Sequence, residues 1–159
     1  MKKPRFNIID AVVLLALAAV VAGGVWYFTS VSVEANVYVD FTVEFRNQPE
    51  GIEDFIEIGG EMRDSVRNYF LGHVVDFNVV PAHILNFDST TNTFVQEIIP
   101  ERTDIYLTIR GRGFESDSEI TVEGQRVTIG RQMFIRGRGF VNTGFITELR
   151  TTPIIEGGE

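Results

Sequence analysis

Two histidines, one short acidic run and a repeated Arg-Gly pentapeptide are the parts of this chain whose residue types could do chemistry. His73, Asp76 and His83 offer imidazole and carboxylate, ordinary ligands for a transition metal. On a regular strand, residue i+3 faces the side opposite residue i, so His73 and Asp76 should diverge. Glu115, Asp117 and Glu119 alternate with Ser116 and Ser118 and could hold calcium weakly. That run lacks the loop glycine and the distal glutamate of a calcium loop. Arg110-Gly111-Arg112-Gly113-Phe114 recurs as Arg136-Gly137-Arg138-Gly139-Phe140, and long disordered tracts of this kind bind nucleic acid. Here each copy is short and follows an apolar strand, so the reading is a strand end with a glycine-permitted turn.

Other chemistries are missing. No lysine occurs beyond position 3, so a G-x-x-x-x-G-K phosphate loop is impossible. Neither a G-x-S-x-G elbow nor an H-E-x-x-H pair is found. The absence of cysteine removes disulfides, thiolate catalysis and thiolate zinc sites together. Two acids could still meet in space as a hydrolytic pair, but nothing in the spacing selects them. The expectation is therefore a non-enzymatic protein with no catalytic residue, no metal and no cofactor.

The elements that must carry these residues begin with an apolar run. Residues 11–28 are eighteen positions without a charge, preceded by Lys2, Lys3 and Arg5. At 1.5 Å per residue they would span roughly 27 Å, close to the hydrocarbon thickness of a bilayer. Trp26, Tyr27 and Phe28 end the run, where amphipathic rings prefer the headgroup layer. The basic flank predicts an N-terminal tail 1–10 in the cytoplasm, a single transmembrane helix 11–28 and everything beyond about residue 30 outside. A cleaved signal peptide is the rival reading, with Val33-Glu34-Ala35 as a loose cleavage pattern. The apolar run is longer than a signal h-region and ends in bulky rings, which favours an uncleaved anchor. Ala16, Ala19 and Gly23 share one side of that helix, a small-residue face able to seat a partner helix or a second copy.

The external part is acidic. It holds eleven arginines against twenty-one acids, a balance of −10. Such a surface repels nucleic acid and anionic headgroups. Without disulfides the domain must be held by packing, for which thirteen phenylalanines are available.

Strict alternation marks the first strand. Val33, Ala35, Val37, Val39, Phe41, Val43 and Phe45 fall on one side of residues 33–45. Further strands are predicted at 74–80, 93–99, 105–110, 120–123, 126–129, 132–136 and 144–149. Turns are predicted at 47–51, 88–92, 100–101 and, as a tight hairpin, 123–125. Residues 61–71 read either as a helix with Gly72 at its C-cap or as strand–turn–strand. Ile58-Gly59 followed by Gly72-His73-Val74, and Ile129-Gly130 followed by Gly144-Phe145-Ile146, suggest two related β-units about 71 residues apart. The predicted fold is mainly β: one transmembrane helix, then a small barrel or sandwich over 31–150, with two duplicated units as the suggested plan, and a flexible tail 151–159.

Arg5-Phe6-Asn7-Ile8-Ile9-Asp10 leading into the apolar span, together with the stretch from Ile58-Gly59 to Asp76, resembles an uncharacterised bacterial family. It is the domain of unknown function four-three-three-zero, and the resemblance implies a single-span envelope protein without a known active site. The functional expectation is a membrane-anchored, extracytoplasmic adaptor docking membrane or envelope partners, or further copies of itself. A carboxylate-dependent hydrolase and a small-ligand or cation sensor are the alternatives.

Overall fold

The computed structural model describes residues 8–30 and 35–155, with side chains along the helix described for 11–24. The chain divides into two units, Met1–Glu34 and Ala35–Glu159.

The first unit holds α1 (Ile8–Ser30), 23 residues rich in the helix formers alanine and leucine. Val12, Val13, Leu14, Leu15, Leu17, Val20 and Val21 are all exposed, so apolar side chains surround its axis. Among the described residues no helix is long and apolar enough to cross a membrane. The stretch with described side chains reaches only about 21 Å, short of a bilayer core. Of the features used to predict the span, Trp26–Phe28 and Lys2, Lys3 and Arg5 lie outside the described side chains, as do Val33 and Glu34.

The second unit is mainly β. It contains β1 (Val37–Pro49), β2 (Glu61–Asp64), β3 (Phe70–Asp88), β4 (Thr93–Glu115), β5 (Ile120–Val122), β6 (Gln125–Arg126), β7 (Gln132–Arg136) and β8 (Val141–Pro153). All are antiparallel in one hydrogen-bonded sheet ordered β1-β8-β7-β2-β3-β4-β5-β6. A further pairing of β1 with β4 joins the ends of the first six strands, so their order is cyclic.

Two hairpins are built alike, β2–β3 and β7–β8. Met62 lies opposite Gly72, and Met133 opposite Gly144. Gly59 N–H donates to the Val74 carbonyl at 2.7 Å, and Gly130 N–H to that of Ile146 at 2.8 Å. Both of these glycines are left-handed, at φ 81° and 82°. A Cβ on Gly72 would overlap the Arg110 carbonyl oxygen, and one on Gly144 would overlap that of Glu44. Only glycine permits those two strands to approach so closely. Each hairpin pairs with the lone strand of the opposite half: β8 lies on β1 and β3 lies on β4. β1 and β4 then meet with Thr42 opposite Thr108, their hydroxyls 2.9 Å apart. Because the halves exchange hairpins, neither can bury its apolar face alone.

The core follows from the alternation. Val37, Val39, Phe41, Val43 and Phe45 of β1 and Ile105, Leu107 and Ile109 of β4 are buried together with Leu71, Ile135 and Ile146. Residues 61–71 are strand–turn–strand, not helix. Asp64 decides this: its carboxylate accepts the N–H groups of Val66 and Arg67 at 3.0 and 2.6 Å, and Asn68 turns left-handed at φ 61°.

Several boundaries differ from the sequence prediction. β1 continues through Asn47 and Gln48, which the sequence assigns to a turn, by a bulge against β4. Residues 100–101 are not a turn but a break in the regular pairing inside β4, where Glu101 takes φ 57°. The tail is ordered further than expected, since β8 pairs with β1 out to Pro153. Residues 156–159 lie outside the described ones.

Candidate functional site

β3 and β4 outrun the other strands. Beyond Pro81 on β3 and Arg102 on β4 they pair only with each other, from His83 opposite Ile98 to Asp88 opposite Thr93. This two-stranded ribbon closes in a turn over 89–92. Asp88 shapes the turn by accepting the Thr90 N–H and the Thr91 hydroxyl, both at 2.8 Å, and Asn92 supplies φ 54°. These two hydrogen bonds hold the Asp88 carboxyl below its ordinary range, the Thr90 amide contributing most. At the root, Asp104 accepts the Asn47 N–H at 2.7 Å and Arg102 donates to the Asn47 carbonyl at 3.2 Å. A cleft of about 340 Å³ lies there, lined by Val79, Pro81, Ile98, Pro100 and Thr103 among others. The Thr103 hydroxyl is buried and has no hydrogen-bond partner among the described residues.

Cross-strand partners share a face of the ribbon. One face carries His83, Leu85, Phe87, Phe94, Gln96 and Ile98; the other carries Ile84, Asn86, Asp88, Thr93, Val95 and Glu97. On the first, Leu85 is 69% exposed, Phe87 54%, Phe94 70% and Ile98 61%. The Phe87 and Phe94 rings meet edge to face, 5.3 Å between centroids. That face bears no charged residue when His83 is neutral. On the opposite face Asn86 donates to the Glu97 carboxylate at 2.6 Å.

A second cleft, also about 340 Å³, lies where β2 meets β7, with Arg63, Arg136 and Arg138 among its walls. Two of the three are engaged. Arg63 pairs with Glu61 at 3.3 Å and lies over the Phe70 ring, and Arg136 donates to Asn68 at 2.6 Å. Two acids, Glu57 and Glu61, share the wall and offset the positive charge.

The residues singled out by sequence do not converge. A bulge between Val74 and Asp76 breaks the alternation, so His73 and Asp76 both lie outward instead of diverging. His73 Nδ1 lies 3.1 Å from the Gly59 carbonyl, and His83 lies on the ribbon. Glu119 is paired with Arg126 at 3.0 Å, and Ser116 caps its N–H. Among the described residues no three potential ligands group as a metal site would require. The first Arg-Gly pentapeptide is the C-terminal end of β4, which stops at Glu115, but its glycines are not left-handed and remain paired; Arg110 grips Asp40 with two hydrogen bonds of 2.6 Å. The second also ends a strand, β7. Ala16, Ala19 and Gly23 lie exposed on α1.

Sequence reasoning missed the ribbon. Its signal was the near-mirror of apolar residues about 88–92, with Phe87 and Phe94 on either side of the turn, and the run from Val79 to Phe87 without an acid or an arginine.

The family described as Domain of unknown function (DUF4330) matches residues 3–150, and the chain belongs to it. No curated protein and no solved structure matches the chain.

Proposed function

We propose that this protein is a membrane-anchored docking module: α1 as a single span with its N-terminus in the cytoplasm, and the β unit outside as a small closed barrel presenting the β3–β4 ribbon to a protein partner. The exposed apolar face of Leu85, Phe87, Phe94 and Ile98 carries this reading. Contiguous apolar surface of that size, rimmed by polar residues, marks interaction sites on folded proteins. The anchor draws support from apolar side chains all round α1, which water would not tolerate on an isolated helix. The described side chains alone fall short of a span, and the reading counts in addition the uncharged residues of the sequence out to Phe28. The orientation follows from Lys2, Lys3 and Arg5. The barrel reading follows from the cyclic strand order.

A non-enzymatic role is favoured by what the buried acids do. Glu44 accepts the Tyr106 hydroxyl at 2.9 Å and pairs with Arg46 at 2.8 Å, while Asp64 caps a turn. Both are spent on structure.

The test is a photoreactive phenylalanine analogue at position 94 of the full chain, irradiated in native membranes. Protein adducts should form at 94 and be absent with the same analogue at the exposed Thr128. Equal or absent adducts at both positions would remove the docking reading. Extraction of the chain by alkaline carbonate would remove the anchor.

A further inference from the structure

We infer that the apolar ribbon face is covered by the same face of a second copy of this chain, the two ribbons packing about a two-fold axis. The inference rests on the docking reading and names its occupant.

An isolated two-stranded ribbon is marginal in water and needs a further layer on its apolar side. Here pairing persists to Asp88 and Thr93 with four large apolar side chains more than half exposed on one face. The charge pattern then selects among possible covers. The β unit carries a strong acidic excess, yet His83, Leu85, Phe87, Phe94, Gln96 and Ile98 present no carboxylate and no arginine. A basic partner would find nothing on this face to pair with. A second copy brings an equally neutral face, so no like charges meet at the contact.

Area agrees. Covering Leu85, Phe87, Phe94 and Ile98 would remove roughly 500 Å² from each copy, so about 1,000 Å² in total, the lower bound for a specific interface. A face that meets itself closes at two copies and leaves no open end for filament growth. The edge-to-face Phe87–Phe94 pair offers a ring edge and a ring face together, which suits packing against an identical pair.

The absence of cysteine makes the test clean. Gln96→Cys places a thiol in the middle of the apolar face, and Ile84→Cys places one on the opposite face. In membranes containing the full chain, mild oxidation should give a disulfide-linked dimer of Gln96→Cys at least tenfold above that of Ile84→Cys. Adding Phe94→Ser to Gln96→Cys should abolish it. Light scattering of the wild-type chain in detergent should give a mass of two copies, falling to one with Phe94→Ser. A monomeric wild type, or equal crosslinking from both faces, overturns the inference. A membrane-impermeant maleimide separates the two levels of failure. If Gln96→Cys fails to crosslink but is protected while Ile84→Cys is labelled, something else covers the face: docking survives and the second copy does not. If the purified chain in neutral phosphatidylcholine vesicles shows the same protection without crosslinking, that cover is lipid. If both thiols label equally in native membranes, docking itself falls.

Discussion

β4 lives in two environments. From Thr103 to Gly113 every second residue is buried, and the strand is flanked by β1 on one edge and by β3, then β5, on the other. From Thr93 to Pro100 it pairs with β3 alone, and of its side chains only Ile99 is even partly covered. Composition does not explain the contrast, because Phe94, Val95 and Ile98 are as apolar as Ile105, Leu107 and Ile109. The number of neighbours does. A strand buries its apolar face only where other strands lie across from it, and the ring of pairings β1-β8-β7-β2-β3-β4 ends at Pro81 and Arg102. Past that point the same residue types become a surface.

The largest effect should come from the ring. Phe41 is fully buried on β1 between β4 and β8. Phe41→Ala should cost about 3–5 kcal/mol, read from denaturant unfolding of the β unit with its slope unchanged. Because the halves exchange hairpins, the loss should appear as one cooperative transition. Two separated transitions, or a loss under about 1 kcal/mol, would mean that the ring is not the packed half of the comparison.

How far all this was legible in the chain depends on the element. Strict alternation over 33–45 located β1, which begins at Val37, and its core face, since period two has no other use there. Gly59, Gly72, Gly130 and Gly144 marked the related hairpins, because only glycine fits those backbone angles and approaches. The 61–71 segment stayed ambiguous because Met62, Val66, Tyr69 and Phe70 also match a helical face; the Asp64 turn settles it through local hydrogen bonds that periodicity does not register. Bulges were illegible. Those at Val74–Asp76, Pro81–His83 and Phe45–Gln48 insert residues without a consistent sequence mark and move the following side chains to the other face. Of the ribbon, the strand 93–99 and the turn 88–92 were visible, while the predicted strand 74–80 stopped short of it. That nothing covers the ribbon depends on where other strands end, which is a property of the whole sheet.

A smaller effect should come from the boundary of the ring. Tyr106 lies on β4 next to Ile105, and its hydroxyl donates to Glu44, itself only 7% exposed. That hydrogen bond, with burial second, raises the phenol above its ordinary value. A raised folded-state pKa contributes stability that is fully present below the ordinary phenol range and is lost as pH rises through the folded value. Wild type should therefore lose stability in alkali relative to Tyr106→Phe. Near neutrality the substitution should cost about 1–2 kcal/mol, the usual result of removing one partner from a buried acceptor. The effect is moderate because Arg46 still pairs with Glu44. A variant as stable as wild type at pH 7, with an unchanged alkaline profile, would show that the Tyr106–Glu44 contact stabilises nothing.

The smallest effect should be confined to the ribbon tip, and it tests whether ribbon and ring are energetically separate. Asp88 holds the turn through the Thr90 amide and Thr91 hydroxyl, and those bonds lower its pKa. A depressed folded-state pKa contributes order that is present above the ordinary carboxylate range and is lost as pH falls through the folded value. Asp88 lies at the ribbon tip and is only partly covered, so the consequence is local. On acid titration the Thr90 amide resonance should shift with a midpoint below that of an ordinary aspartate. The ring amides of Tyr106, Leu107 and Thr108 should stay fixed over the same range. Asp88→Ala should free the Thr90 amide at every pH and leave the unfolding midpoint of the β unit where it was. If Asp88→Ala instead lowers that midpoint as a ring substitution does, the ribbon is part of the ring's cooperative unit, and the division drawn along β4 is one of exposure alone.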